Sequence, residues 1–463
     1  MTQVKETTIS NRKATWLPKA PGISWAALGF LWVIFAFNGA GRELLNRVSP
    51  LIVSEYGITA STWGNIASLI AIATGFLAII GGIWSDKIGR GWARKKSNIW
   101  VILGYTIFLL VIGISFISVS IGLFVLFYVL RNAASGVGES IEVASMAEWW
   151  PAESRGFALG VHHTAYPWGT LLSGFLVTGI LLATNNDWRM IFLILPPLVI
   201  PVLIGYWFFA TPNRFRNYER KTIEMGLTPT VNEEYEEIQQ ADKKGAFKAI
   251  LKNPNVMVVT FISFLAMAGY IGIGFWLTPY LTYVAEFDIA KAATYSVIFT
   301  ITGGIGQIVW GSLSDKFGRK ASLLFNFAWL TVGFLLLPFT ANGLLWLVLI
   351  QLFIGLSTNA VYPVLYAYVS DSAKKGYMST ALGIQLTGLF LGGLSPMFLG
   401  YFINLGGGWE SHSGYQVGIY ILAGFMALAF LMTLLFTHET VGKKRGKDFA
   451  LVSYESCGIE KNK

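Results

Sequence analysis

Gly82-Ile-Trp-Ser-Asp86-Lys-Ile-Gly89-Arg90 returns as Gly311-Ser-Leu-Ser-Asp315-Lys-Phe-Gly318-Arg319-Lys320, each copy at the end of an apolar run. The residue types have a physical logic. Gly82 lets two helices approach closely, Asp86 offers a carboxylate to a neighbouring helix N-terminus, and Gly89 with Arg90 turns the chain and anchors it in water. Gly311, Asp315, Gly318 and Arg319 repeat these parts. A second echo pairs Ser154-Arg-Gly-Phe-Ala-Leu-Gly160 with Lys374-Lys-Gly-Tyr-Met-Ser-Thr-Ala-Leu-Gly383. A pattern that occurs twice at corresponding places points to two matched halves with a site between them. A chance Gly-Asp turn would not repeat in this way.

Around these copies the chain is 54% hydrophobic and only 13% charged over 463 residues, where soluble domains carry about 25% charged residues. This is the composition of a polytopic membrane protein. Twelve apolar spans are read, beginning near Ser24, Ser61, Lys96, Ser120, Gly156, Arg189, Pro254, Ala292, Ala321, Gly343, Tyr377 and Gln416. The expected organisation is a tail (1–22), a first six-helix bundle (23–210), a polar central loop (211–253), a second six-helix bundle (254–437) and a second tail (438–463). The central loop holds eight Lys or Arg and seven Asp or Glu. It reads as a linker, with short helices expected around Asn232 to Ala241 and Gly245 to Leu251.

Of the 34 Lys and Arg, 29 fall in the tails and alternate loops, Arg189 and Lys291 fall on the other side, and Arg42, Arg47 and Arg131 fall inside spans. That asymmetry predicts a multi-pass inner-membrane protein with both termini in the cytoplasm. Once orientation is accounted for, no basic face remains for nucleic acid. The first 22 residues do not have the pattern of a cleavable signal peptide. Cys457 is alone, so no disulfide framework is expected.

The informative residues are charges placed in apolar helices: Arg42, Glu43, Arg47, Arg131, Glu139 and Glu142, all in the first half. A charge near the bilayer centre costs roughly 2.5 to 3.5 kcal/mol on insertion scales, so these six must form a network, and such residues mark a site by default. Span 1, from about Ser24 to Tyr56, is roughly 50 Å long and puts Arg42 near mid-membrane. Glu43 and Arg47 are four apart and can neutralise each other. Arg42 has no partner in its own helix, so its partner must come from another helix or from a ligand. Glu139 and Glu142 are three apart on span 4. Two carboxylates in a low-dielectric cleft raise each other's proton affinity, which makes them candidates to carry a coupling proton. Glu43 and His163 of span 5 are further proton candidates. A static ion-pair network is the plainer alternative.

The two Gly-Asp loops resemble the signature of the major facilitator superfamily. The resemblance implies an all-α membrane transporter of twelve transmembrane helices in two pseudo-symmetric six-helix bundles, working by alternating access and needing no cofactor beyond a proton gradient. Gly41-Arg-Glu-Leu-Leu-Asn-Arg-Val-Ser-Pro-Leu-Ile-Val-Ser-Glu-Tyr-Gly-Ile-Thr59 is similar to helix 1 of the anion:cation symporter branch, which moves organic anions with protons. There an Asp-Arg pair begins the segment and the arginine binds the substrate carboxylate; here Gly41 replaces the aspartate and the arginine falls on Arg42. Gly136-Val-Gly-Glu139 resembles the branch's helix 4, although Trp149-Trp-Pro151 follows about one turn early.

In the second half no charge lies inside a span. The candidates for the substrate body are Tyr270, Trp276 and Tyr280 of span 7, Gln307 of span 8, and Asn359, Tyr362 and Tyr366 of span 10, with Tyr166 of span 5 opposite. A single cation favours a singly charged ligand. The sequence therefore predicts a proton-coupled symporter for a small organic monoanion such as a sugar acid or aromatic acid. Its partners are protons and the lipid bilayer, and a monomer is expected. The alternatives are a proton-coupled drug or cation exporter, and a transporter-like sensor. No enzyme constellation and no metal motif is visible.

Overall fold

The computed structural model describes residues 17–88, 91–114, 120–229, 248–372 and 378–440. Among these, twelve helical spans are long and apolar enough to cross a membrane: Gly22–Tyr56, Ala60–Leu77, Gly91–Gly113, Ile121–Glu148, Phe157–Ala183, Arg189–Phe209, Pro254–Tyr283, Ile289–Ser314, Arg319–Asn342, Leu344–Val369, Ala381–Leu405 and His412–Phe436. They form two six-helix bundles. Small residues let the spans meet. An added Cβ at Gly169 would lie 2.2 Å from the Ala36 carbonyl oxygen, so span 5 packs directly on the backbone of span 1.

Span 1 shows how the sequence shapes the helix that matters most. Pro50 has no N–H, which leaves the Asn46 carbonyl without its helical partner, and the Ser49 hydroxyl donates to that carbonyl at 3.0 Å. One turn earlier the Tyr128 hydroxyl of span 4 inserts into the ladder. It accepts from the Leu45 N–H at 3.1 Å and faces the Arg42 carbonyl at 2.9 Å. Span 1 is thus clamped to span 4 at Arg42 itself.

The central loop differs from expectation. The helix expected around Asn232 to Ala241 lies outside the described residues, as do residues 245–247 of the one expected around Gly245 to Leu251, whose residues 248–251 are helical. An amphipathic helix instead occupies Pro212–Glu224, with Pro212 in its first turn and the Thr211 hydroxyl accepting from the Arg214 N–H. Its buried Phe215 meets Trp149 at the end of span 4 edge to face, and Tyr218 packs against the same ring at a tilt. The spacing Phe215, Tyr218, Thr222 already carried this face.

The repeated loops are braced by carboxylates from elsewhere. Gly318 has φ 104°, which favours glycine, and beyond it Glu439 accepts the Arg319 and Lys320 N–H groups at 2.7 and 3.2 Å. Arg319 reaches Asp371, just past the end of span 10, at 3.2 Å. In the first bundle Glu148 accepts the Gly91 N–H at 2.6 Å and pairs with Arg94 at 2.9 Å. Gly82 and Asp86 lie in the helix that begins span 2, and Gly311 and Asp315 in the helix of span 8. Gly89 and Arg90 lie outside the described residues. Glu148→Ala should destabilise the protein by about 3 kcal/mol, because it removes a carboxylate that pairs with buried Arg94 and accepts the Gly91 N–H. A thermal unfolding midpoint checks this, and Glu148→Gln, which keeps an acceptor for the Gly91 N–H, should cost less.

The described hydrogen bonds between the bundles all lie in the half of the spans next to the turns at 57–59, 184–188 and 284–288. Thr178 and Thr294 join spans 5 and 8 at 2.7 Å, and the Tyr283 hydroxyl donates to the Pro50 carbonyl at 3.2 Å. Ser68 accepts the Met397 N–H at 3.1 Å, and the Trp409 indole donates to the Ile58 carbonyl at 2.8 Å. The molecule is closed at that end.

Candidate functional site

Arg42 extends from the clamped turn of span 1 toward span 4. Its Nε donates to Ser135 at 2.7 Å, and its terminal nitrogen forms an ion pair with Glu139 at 2.7 Å. Ser135 is held in turn by Asn38. The pair is not sealed: 16% of the Arg42 side chain and 36% of that of Glu139 remain exposed. Asn38 is one turn before Arg42 and Ser135 one turn before Glu139. Sequence reading missed both, although spacing by four on the same two helices was the available signal.

Glu43 is the acceptor of a denser knot. Arg47 and Asn46 donate to one oxygen at 3.0 and 2.7 Å, and the Tyr166 hydroxyl donates to the other at 3.0 Å. Tyr166 therefore serves Glu43 rather than standing open in the cleft.

The two span 4 glutamates do not share an environment. Glu139 meets Arg42, whereas Glu142 is fully buried beside Gly138, on the side packed against Val101 and Tyr105 of span 3. Neither Glu142 oxygen has a hydrogen-bond partner among the described residues. Arg131 is also fully buried. It donates to the Asn38 carbonyl at 3.0 Å, lies 5.2 Å from the Tyr105 ring centre, and makes no ion pair among the described residues. An added Cβ at Gly41 would lie 2.4 Å from the Arg131 guanidinium. The space that an aspartate side chain would enter at position 41 is filled by an arginine from span 4.

Beside these charges lies an apolar cavity of about 230 Å³, lined by spans 1, 3, 5 and 6 and including Gly41 and Tyr105. It contains no charged lining residue.

In the second bundle the expectations divide. Tyr270 and Tyr362 meet edge to face with centroids 6.0 Å apart. The Asn359 amide nitrogen and the Gln307 amide oxygen are buried without hydrogen-bond partners among the described residues. Trp276 is a correction. It is 2% exposed, donates to the Pro396 carbonyl at 3.2 Å and packs against Phe275, Trp409 and Tyr415, so it belongs to the core of the second bundle. Tyr280 is likewise buried, donating to the Pro338 carbonyl at 2.7 Å. His163 faces the Leu159 carbonyl of its own helix at 2.8 Å and lies edge-on to Phe35. Among the described residues it makes no bond to the carboxylates. His162, fully buried, stacks on the same Phe35 ring.

Residues 31–298 and 285–451 match the Major Facilitator Superfamily, together most of the sequence. The chain belongs to that superfamily. This facilitator is a membrane transporter and not an enzyme. It is 25% identical over 446 residues to a probable sulfoacetate transporter of Cupriavidus necator, covering 91% of this chain and 96% of that protein. A hexuronate transporter of Bacillus subtilis is 24% identical, covering 90% of this chain and 96% of that protein. A benzoate transport protein of Acinetobacter baylyi is 23% identical, with 82% and 84% covered. Among solved structures, the facilitator fold superposes on a bacterial homologue of the human lysosomal transporter Spinster. The TM-score is 0.71 at 16% identity, with 90% of this chain and 98% of that one covered. The xylose transporter of Escherichia coli gives 0.67 at 17% identity, with 93% and 99% covered.

Proposed function

We propose that this facilitator couples the uptake of a small organic monoanion to a proton, with Arg42 holding the carboxylate and Glu139 exchanging the proton. The observation that carries the reading is the partly exposed Arg42–Glu139 pair joining spans 1 and 4. In the empty carrier each charge neutralises the other. A proton on Glu139 frees the guanidinium, and a substrate carboxylate then takes it through two parallel hydrogen bonds. Each ligand removes the competitor of the other, so proton and anion bind with positive cooperativity. Glu142 is the alternative proton site. The bundle opposite supplies hydrogen bonds and rings from Tyr270, Tyr362, Gln307 and Asn359 but no counter-cation, which suits one carboxylate. The similarity to sulfoacetate, hexuronate and benzoate transporters supports an organic acid.

The test is uptake by purified protein in proteoliposomes, using labelled acids chosen by a thermal-shift screen. An imposed proton gradient should drive accumulation, and dissipating it should stop accumulation. Uphill accumulation that ignores the proton gradient would refute the coupling, and proton-driven extrusion of organic cations would favour the exporter.

The distribution of Lys and Arg supports an orientation in the inner membrane with the closed end outside the cell. With Cys457 replaced, cysteines at exposed Arg220 and Lys316 should resist an impermeant thiol reagent in intact cells, whereas cysteines at exposed Lys291 and Ser413 should react. The reverse pattern would invert the topology.

A further inference from the structure

Arg47 is fully buried, and among the described residues it is the charged side chain whose hydrogen bonds pass from one bundle to the other. Within span 1 one terminal nitrogen holds Glu43. The other reaches Ser296 at 2.8 Å and Thr278 at 3.3 Å, on spans 8 and 7. The hydroxyls there form a built acceptor. Thr278 spends its hydrogen on Ser296 at 2.9 Å, and Ser296 spends its own on the Ala293 carbonyl at 3.2 Å. Both are left presenting lone pairs to the guanidinium. Ser296 stands at the interruption between the helices Ile289–Tyr295 and Phe299–Phe317, where the chain can aim it inward.

The other cross-bundle bonds at this end, such as Tyr283 to Pro50 and Thr294 to Gly174, join neutral groups. A bond from a charged donor is roughly twice as strong as a neutral one. Opening this end withdraws Thr278 and Ser296 and strands a buried cation with Glu43 alone. We infer that Arg47 is the bolt of this closure: its guanidinium, fixed by Glu43 in the first bundle and received by the Thr278–Ser296 hydroxyl pair in the second, sets how readily the closed end opens. The inference rests on alternating access between the bundles and not on the identity of the transported anion.

The experiment needs no substrate, so its failure is distinguishable from failure of the anion reading. Full-length protein in detergent, with Cys457→Ser, carries a reporter at Val297→Cys. Val297 is fully buried on the seam against Gly174. Maleimide labelling is timed in this background, with Thr278→Val plus Ser296→Ala, and with Arg47→Gln. The hydroxyl double variant keeps the Glu43–Arg47 pair and so serves if Arg47→Gln fails to fold. Labelling should be about tenfold faster once the charged hydrogen bonds are lost. A control cysteine at Ser263, fully buried inside the second bundle, should stay equally slow in every background. Unchanged labelling at Val297→Cys overturns the inference. Equal acceleration at Ser263→Cys also overturns it, since that is general loosening.

Discussion

Arg42→Ala is expected to abolish specific anion binding, and Arg42→Lys to restore little of it. Arg42 is partly exposed, and its Nε is already fixed by Ser135, so the guanidinium is held in a set plane and its terminal nitrogens become available once Glu139 lets go. A carboxylate matches that plane with two bonds, which an ammonium cannot copy. Losing a buried charged partner costs roughly 2 to 5 kcal/mol, or about 30- to 4,000-fold in affinity. Calorimetric titration of folded, monodisperse variants with an acid found in the screen measures it. Near-native affinity in Arg42→Ala would end the organic-anion reading.

Glu139→Gln should uncouple the carrier. The amide keeps the shape and can still contact Arg42, but it cannot take up a proton. In proteoliposomes, accumulation of substrate at equilibrium should fall from about tenfold per unit of pH gradient to none. Exchange of labelled for unlabelled acid across the membrane should continue. Glu142→Gln is the comparison: its carboxyl is fully buried and makes no hydrogen bond to Arg42 among the described residues, so it should leave accumulation intact. If the two variants exchange these outcomes, the proton rides on Glu142. If both still accumulate substrate, Glu43 is the next candidate.

The fold was legible because its signals are long. Twelve apolar runs and a motif occurring twice need no knowledge of side-chain direction. The charged half of the site was legible for a related reason: an arginine in mid-membrane is costly enough to require a partner, and only a few carboxylates were near enough in depth. The direction in which a neutral side chain points was not legible. Span 7 is apolar all round and gives no phase to its aromatic residues, so Trp276 and Tyr280 resemble cleft residues in sequence while the structure turns them into the core. Thr278 and Ser296 were invisible for the opposite reason. Short hydroxyls in apolar helices usually satisfy their own backbone, and only the arrival of Arg47 from the other bundle makes them distinctive. The Pro212–Glu224 helix was overlooked because a strongly charged composition hid a three-residue apolar face.

The six charges of spans 1 and 4 have a consequence for energy conversion. Arg42, Arg47 and Arg131 balance Glu43, Glu139 and Glu142, and all six ride on the first bundle. Adding one proton together with one monoanion preserves that balance, so the empty and the loaded carrier reorient with the same net charge. A membrane potential does work of about 2.3 kcal/mol per elementary charge per 100 mV, but only on charge that moves. One-to-one transport of a monoanion is therefore electrically silent. A potassium diffusion potential imposed on proteoliposomes should leave its initial rate unchanged. A dianion accompanied by a single proton would instead carry current, and its uptake would follow the voltage.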